Sequence, residues 1–162
     1  MKKAVPIEKV FEAWTALADN RVKIQTPQGL STGTNNQEDI PSEEGEAYVS
    51  SSDGEKSYTV RWKGNQYSSD DNATFWQGYP GYPVLAVLML QGKLPFDVAQ
   101  ADLWKNINWT QQNKKFKNNY AEAVADIAKT RNIDLPTSYR NAEKVMDSLN
   151  DLPIEIKRKI KI

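Results

Sequence analysis

The acidic side chains that stand closest together lie in the first half of the chain. They are Glu43, Glu44, Glu46, Asp53, Asp70 and Asp71. Carboxylates of this kind can hold Ca²⁺ or Mg²⁺, and a facing pair can hydrolyse a glycosidic bond. Their spacing matches no metal-binding loop, so we expect no metal site, and Asp70-Asp71-Asn72 is typical of a turn and a helix cap. A carboxylate-dependent hydrolase is therefore an alternative function.

Several kinds of chemistry are absent from the side chains altogether. The chain has no cysteine and no histidine, which excludes disulfides, thiolate nucleophiles and imidazole acid–base catalysis. Ser50-Ser51-Ser52 lacks the usual activating base. Gly78 and Gly81 belong to no phosphate-binding glycine motif. These absences make an enzyme the less favoured interpretation, and we expect no cofactor.

Four aromatic residues, Phe75, Trp76, Tyr79 and Tyr82, cluster around a Gly-Tyr-Pro triplet that is repeated at 78–83. Rigid rings beside glycine and proline can form a surface on which a base, a sugar or a peptide stacks. The competing interpretation is a packed corner of the core. This aromatic corner is our candidate ligand-binding site.

Basic residues form two groups in the second half of the chain: Lys105, Lys114, Lys115 and Lys117, and then Lys157 and Lys159 in a tail that runs to Lys161. Residues 1–81 hold 8 basic and 12 acidic side chains, whereas 82–162 hold 13 and 9. If the two groups converge, they could face a nucleic-acid backbone. A pI of about 6.3 argues against strong non-specific affinity for DNA. A nucleic-acid-associated protein is thus a further alternative.

The elements that must position these residues begin with an amphipathic helix at 6–18 and a short strand at 21–25. Alternating apolar residues on both sides of Asp53-Gly54 predict a hairpin in which Val49 faces Tyr58 and Ala47 faces Val60. A second turn at Gly64-Asn65 would place Trp62 opposite Tyr67 and complete a meander. The polar stretch at 26–46 predicts a mobile loop.

The second half of the chain predicts mostly helices. Pro83 and Gly92 flank an apolar run at 84–90 that we interpret as a short buried helix, with a buried strand as the alternative. Further helices are expected at 96–106, with Val98, Leu103 and Ile107 buried, and at 109–131 and 137–150. Strict alternation of isoleucines at 154–162 predicts a C-terminal strand in the sheet.

Together these patterns predict one α+β domain over residues 1–162. It has a small, mainly antiparallel sheet, built from the meander and both terminal strands, packed against a C-terminal helical block. No run of residues is apolar and long enough to span a membrane, and no secretory segment is evident near the first residues, so we expect a cytoplasmic protein. A non-catalytic binding or protein-interaction module is the main function expected. Its partner is a protein, a second copy of the chain or, less favoured, a nucleic acid.

Overall fold

The computed structural model of the chain describes residues 4–26, 29–31 and 43–161 and has an α+β architecture. Six strands form one sheet in the order β2-β1-β3-β4-β5-β6, antiparallel except for the parallel pair β5 and β6. The strands are β1 Val22–Thr26, β2 Gly29–Ser31, β3 Glu44–Ser50, β4 Ser57–Lys63, β5 Gln66–Ser69 and β6 Glu155–Ile156. The expected mainly antiparallel sheet is confirmed.

Helices cover one face of this sheet. In the described residues they are α1 Lys9–Ala18, a single π-helical turn Ala73–Gln77, α2 Tyr82–Leu90, α3 Val98–Leu103, α4 Trp109–Lys115, α5 Tyr120–Arg131 and α6 Leu135–Asp151. Helix α2 packs against β1, β4 and β5, and α1 packs against α2, α3 and α6. Because α2 lies between the sheet and α1, seven of its residues, 84–90, are almost completely buried. The helix predicted at 84–90 is confirmed, and the alternative of a buried strand is wrong.

The meander has the predicted register. Val49 lies opposite Tyr58, Ala47 opposite Val60, and Trp62 opposite Tyr67. The turn at Asp53-Gly54 is not the two-residue turn that an Asp-Gly pair favours. Gly54 has φ 75°, Asp53 is not among the residues with positive φ, and the Gly54 amide donates to the Ser51 carbonyl. A two-residue type I′ turn needs positive φ at both central residues. The side chain of Asp53 instead accepts from the Ser51 hydroxyl and the Glu55 amide, and this wider turn keeps the same strand pairing.

The single long helix predicted at 109–131 is wrong. Lys117 and Asn118 have φ of 51° and 64°, which breaks the helix into α4 and α5. Asn108 caps α4 through the Gln111 amide, and Asn119 caps α5 through the Glu122 amide. Asparagine tolerates the left-handed region and is a favoured N-cap. The 17-residue α6 is the longest helix of the described residues.

The C-terminal strand is much shorter than the alternation at 154–162 predicts. Only Glu155 and Ile156 pair with β5, and they do so in parallel. Ile160 is nonetheless buried, because the segment that follows β6 runs along the face of the sheet opposite the helices. Ile154 and Ile156 pack with the main core, and after a bend at residue 158 Ile160 is buried outside that core, so the alternation of isoleucines does not correspond to a continuous ladder of hydrogen bonds.

Two other segments differ from the sequence expectations. Within the range 26–46, strand β2 and the start of β3 are part of the sheet, while residues 27–28 and 32–42 lie outside the described residues, as does Ile162. In α3, Val98 and Leu103 are 61% and 44% exposed, so the prediction that they are buried is wrong, whereas Ile107 is buried. Helix α3 is only six residues long and packs through Ala101.

Candidate functional site

A cleft of about 170 Å³ opens where α1, the β3–β4 hairpin and α4 meet. We call it the charged cleft because two basic and two acidic side chains line it. Among its lining residues, those with a charge or a ring hydroxyl are Lys9, Glu12, Arg21, Tyr58, Asp71, Tyr79, Tyr82 and Tyr120. They come from separate segments of the chain, so the fold creates the site.

Helix α1 supplies one ion pair. Lys9 and Glu12 are three residues apart, which places them on the same side of the helix, and Lys9 Nζ lies 3.1 Å from Glu12 Oε2. The ammonium also lies 4.4 Å from the centroid of the Tyr120 ring. Burial raises the pKa of Glu12, although the ammonium of Lys9 opposes that shift. Burial alone would lower the pKa of Lys9, but the attraction of Glu12 and Tyr120 raises it overall.

Asp71 provides the second carboxylate and holds the chain after β5 in place. It is 5% exposed, and its carboxylate accepts hydrogen bonds from the amide and the hydroxyl of Thr74 at 3.1 and 2.9 Å. The Thr74 hydroxyl in turn accepts from the Gly81 amide at 2.9 Å. Burial raises the pKa of Asp71, and the hydrogen bonds from Ser69 and Thr74 offset part of that shift. Asn72 is the N-cap residue of the π-helical turn and its side chain makes no capping hydrogen bond; Asp71, one residue earlier, bonds the first turn instead, and its carboxylate also lines the charged cleft.

Arg21 lies at the end of the cleft next to β1. Its guanidinium donates to the carbonyl of Ser50, while Nε and Nη2 are buried and have no hydrogen-bond acceptor among the described residues. Asp19 Oδ2 is 3.7 Å from Nε, which is too long for a hydrogen bond. The Tyr82 ring packs edge-on against Tyr58, and burial raises the pKa of Tyr82. Nε and Nη2 of Arg21 therefore make no hydrogen bond of good geometry within the described residues, although Asp19 and Tyr82 both interact with this guanidinium.

Helix α4 forms the opposite wall. The Trp109 indole donates to the Thr15 hydroxyl at 2.8 Å and stacks on Trp104 with 6.4 Å between ring centroids. The Thr110 amide donates to the Ser52 hydroxyl at 3.0 Å, which ties α4 to the tip of the hairpin. Helix α4 is thus hydrogen-bonded both to α1 and to the tip of the β3–β4 hairpin.

The four residues of the predicted aromatic corner divide between two surfaces. Tyr79 and Tyr82 line the charged cleft. Phe75 and Trp76 pack edge-on against each other at 4.8 Å and lie under the guanidinium of Arg158. The predicted corner therefore spans two surfaces. Phe75 and Trp76 lie in the π-helical turn, which ends at the left-handed Gly78, and Tyr79 and Tyr82 follow that residue.

The two basic groups lie on different elements. Lys105 follows α3, Lys114 and Lys115 end α4, and Lys117 lies in the break before α5. Lys157 and Lys159 follow the edge strand β6. Lys115 is 3.8 Å from Asp126, and Lys157 is 2.8 Å from Glu155, so each group includes a cation that already has an acidic partner.

Sequence reasoning overlooked Lys9, Glu12 and Arg21. The helical stripe at 6–18 indicates a core face, and Lys9 and Glu12 resemble the solvent side of that helix. The sequence signal that could have indicated them is Thr15, a second polar residue three positions after Glu12 on the same side of the helix. In the structure Thr15 is fully buried. A helix that buries both its apolar stripe and its polar neighbours must be covered on two sides.

Asp71 should make stability depend on pH in a defined direction. A carboxyl group whose pKa is raised on folding stabilises the fold below its ordinary pKa and loses that contribution as pH rises through the raised value. The ordinary value is 3.8. As pH rises above about 4, we therefore expect Asp71→Asn to become progressively more stable relative to the parent protein. Urea unfolding of both proteins across the pH range measures this difference.

Glu155→Gln provides a control of opposite sign. Glu155 is exposed, and the hydrogen bond from Lys157 lowers its pKa. The parent protein should therefore gain stability relative to Glu155→Gln as pH rises, by a small amount because the pair is in solvent. A difference that has the same sign for both variants would contradict the assignment for Asp71.

Neither a metal centre nor a membrane span emerges from the described part of the chain. Within residues 4–26, 29–31 and 43–161, no group of three or more acidic side chains is placed to hold a metal ion. In the same ranges no helix has both the length and the apolar composition that crossing a bilayer requires.

Comparison with known proteins gives one family. No curated protein and no solved structure matches the chain. The family model described as Uncharacterised conserved protein UCP014422 matches residues 2–155. Because this match covers most of the 162 residues, the chain belongs to that family.

Proposed function

We propose that this protein is a binding module for a small polar molecule, neutral or zwitterionic, such as a sugar or an amino acid. The observation that carries the proposal is the lining of the charged cleft, in which Lys9 and Arg21 balance Glu12 and Asp71 among tyrosine rings. A ligand with one strong charge would be attracted by half of these groups and repelled by the other half. A ligand rich in both donors and acceptors meets partners of both kinds.

The hydrogen-bonding groups of the cleft support this ligand class. Arg21 brings two buried N–H donors to the cleft, Nε and Nη2, that form no hydrogen bond of good geometry within the described residues, and a well-placed acceptor on a ligand would satisfy them. Tyr79 and Tyr120 line the same cleft, and Lys9 Nζ lies 4.4 Å from the centroid of the Tyr120 ring. Tyrosine rings combine a flat apolar surface with a polar tip, which suits a ligand that has both.

The test is a panel of neutral sugars and amino acids, screened by thermal unfolding and followed by calorimetry of any member that stabilises the protein. A ligand present at about 100 times its Kd stabilises the fold by about 2.7 kcal/mol. We expect at least one member to do so and to bind Tyr79→Phe and Asp71→Asn more weakly. Trp76 does not line the charged cleft, so the Trp76→Ala variant should bind the same ligand as tightly as the parent does. The proposal would be contradicted if no member of the panel binds, or if both cleft variants bind the ligand as tightly as the parent does.

A carboxylate-dependent hydrolase is the second candidate. The observation that favours it is that Glu12 and Asp71 line the same cleft and that burial raises the pKa of both. A carboxyl group whose pKa is raised keeps its proton to higher pH than a free one, which favours a role as a general acid. Chromogenic aryl glycosides test this candidate: turnover should fall by about 100-fold or more in Glu12→Gln. Turnover that is absent in the parent, or equal in the variant, would exclude Glu12 as an acid for these substrates.

A further inference from the structure

A second surface lies on the face of the sheet opposite the helices. Thr59 and Arg61 point to this face because Val60 and Trp62, which alternate with them along β4, point into the core. The segment that follows β6 runs beside them, and together they border a groove of about 430 Å³. We call it the basic groove; the residues that matter here are Arg61, Asp70, Phe75, Arg158, Lys159 and Lys161.

The charge of this groove is strongly one-sided. Four cations and one carboxylate line it, although the whole chain has a net charge of zero. The carboxylate, Asp70, accepts a hydrogen bond from the Thr59 amide at 2.8 Å, which occupies one of its two oxygens. Arg61 forms an ion pair with Glu46 at 3.5 Å, and its side chain remains 46% exposed. A negatively charged chain would therefore meet more cations than carboxylates in this groove.

An exposed tryptophan stands at the end of the basic groove. Trp76 is 65% exposed, whereas the other four tryptophans, all within the described residues, are almost completely buried. Its ring packs against Phe75, which lines the groove. The Arg158 guanidinium lies 5.5 Å from the centroid of the Phe75 ring and 5.6 Å from that of Trp76. A large ring held at the surface next to an arginine is costly in water and suited to stacking.

The Trp76 ring also borders a second groove, of about 580 Å³, together with Lys56, Tyr58 and Asn72. The ring thus lies between two open grooves and is not at the bottom of one. A flat ligand group that stacks on it can therefore continue in either direction, which is the arrangement a chain-like ligand requires.

We propose that the basic groove binds single-stranded nucleic acid, with a base stacked on Trp76 and the phosphates on Arg61, Arg158, Lys159 and Lys161. Stacking rings beside a line of cations are what proteins use to hold unpaired strands with little sequence preference. A duplex hides its base faces and offers the ring nothing to stack on. An acidic peptide or an anionic membrane would meet the cations but would leave the tryptophan without a flat partner.

The experiment measures binding of a fluorescein-labelled oligo(dT) of about 16 nucleotides to the full chain over a range of salt concentrations. Affinity should fall with salt at a logarithmic slope of about −0.7 for each phosphate contacted. Lys159→Ala with Lys161→Ala should make this slope shallower by about 1.4. Trp76→Ala should weaken binding by about tenfold without changing the slope, because it removes stacking and no charge.

The matched control is Lys114→Ala with Lys117→Ala, which removes the same charge from the α4–α5 surface and should leave affinity unchanged. A blunt duplex of the same length, polyglutamate and vesicles containing phosphatidylserine serve as competitors, and each should compete poorly. Intrinsic fluorescence gives an independent measure, since oligo(dT) should quench the parent protein and not Trp76→Phe.

Three results of the direct binding measurements would overturn the inference. They are no binding of oligo(dT) at low salt, equal binding by Trp76→Ala, and loss of binding only in the Lys114 and Lys117 variant. Competition by polyglutamate or vesicles as strong as by unlabelled oligo(dT) would also overturn it, in favour of an acidic protein or a membrane. None of these outcomes depends on a ligand in the charged cleft.

Discussion

Gly81→Ala is expected to lower the free energy of unfolding by about 3 kcal/mol. A β-carbon at this position would lie 2.1 Å from Asp71 Oδ2 and 3.2 Å from the β-carbon of Ala73. Asp71 cannot move away without giving up its hydrogen bonds to Thr74. The backbone of Gly81 is extended, with φ −75° and ψ 176°, so the requirement for glycine is one of space alone. Chemical denaturation of the parent and the variant measures the difference.

Gly78→Ala is the matched control from the same Gly-Tyr-Pro repeat. Gly78 has φ 77°, and a β-carbon there would contact nothing within 4 Å. Its cost is therefore only that of placing alanine in the left-handed region, about 1 kcal/mol. Equal losses in the two variants would mean that the contact between Gly81 and Asp71 does not limit the packing of this corner.

Thr15→Val should also be strongly destabilising, by about 3 kcal/mol. Thr15 is completely buried in α1. Its hydroxyl donates to the carbonyl of Trp104 and accepts from the Trp109 indole at 2.8 Å. Valine has nearly the same shape but leaves the indole nitrogen and the carbonyl without this partner in the core. We expect the denaturation midpoint to fall and the wall formed by α4 to loosen.

Thr130→Val is the corresponding control on the surface. The Thr130 hydroxyl donates to the Asp126 carbonyl within α5 and is exposed to water. Its loss should change stability by less than about 0.5 kcal/mol. If Thr15→Val and Thr130→Val have the same effect, the hydroxyl of Thr15 does not connect α1 to α4 energetically.

The parts of the fold that sequence could predict are those that nearby residues decide. Strand alternation together with turns at Gly54 and Gly64 defined the meander and its register, because a shift by one residue would move Trp62 out of the core. Pro83 and Gly92 indicated a helix at 84–90 although its apolar run has no periodicity. In both cases the deciding signals lie within a few residues of the element.

The parts that sequence could not predict depend on residues far apart in the chain. The break at Lys117 and Asn118 interrupts a stripe of apolar residues that continues in phase on both sides, so periodicity alone favours one helix. The charged cleft joins Glu12 to Asp71 and Trp109 only because α4 folds back over α1. A buried ion pair on an amphipathic helix has the same pattern as a solvated one, and the covering element alone distinguishes them.

The parallel pairing of β6 with β5 has a consequence for the order of folding. Asn65 donates to the Pro153 carbonyl across 88 residues, and the Glu155 amide donates to the Asn65 carbonyl. Contacts with such separation pay a large loop-closure entropy, so they form after the helices between them have condensed. Until then β5 is an open edge, and open edges recruit other chains. The two residues of β6 that pair with β5 thus cover part of an edge that would otherwise stay open to pairing with another chain.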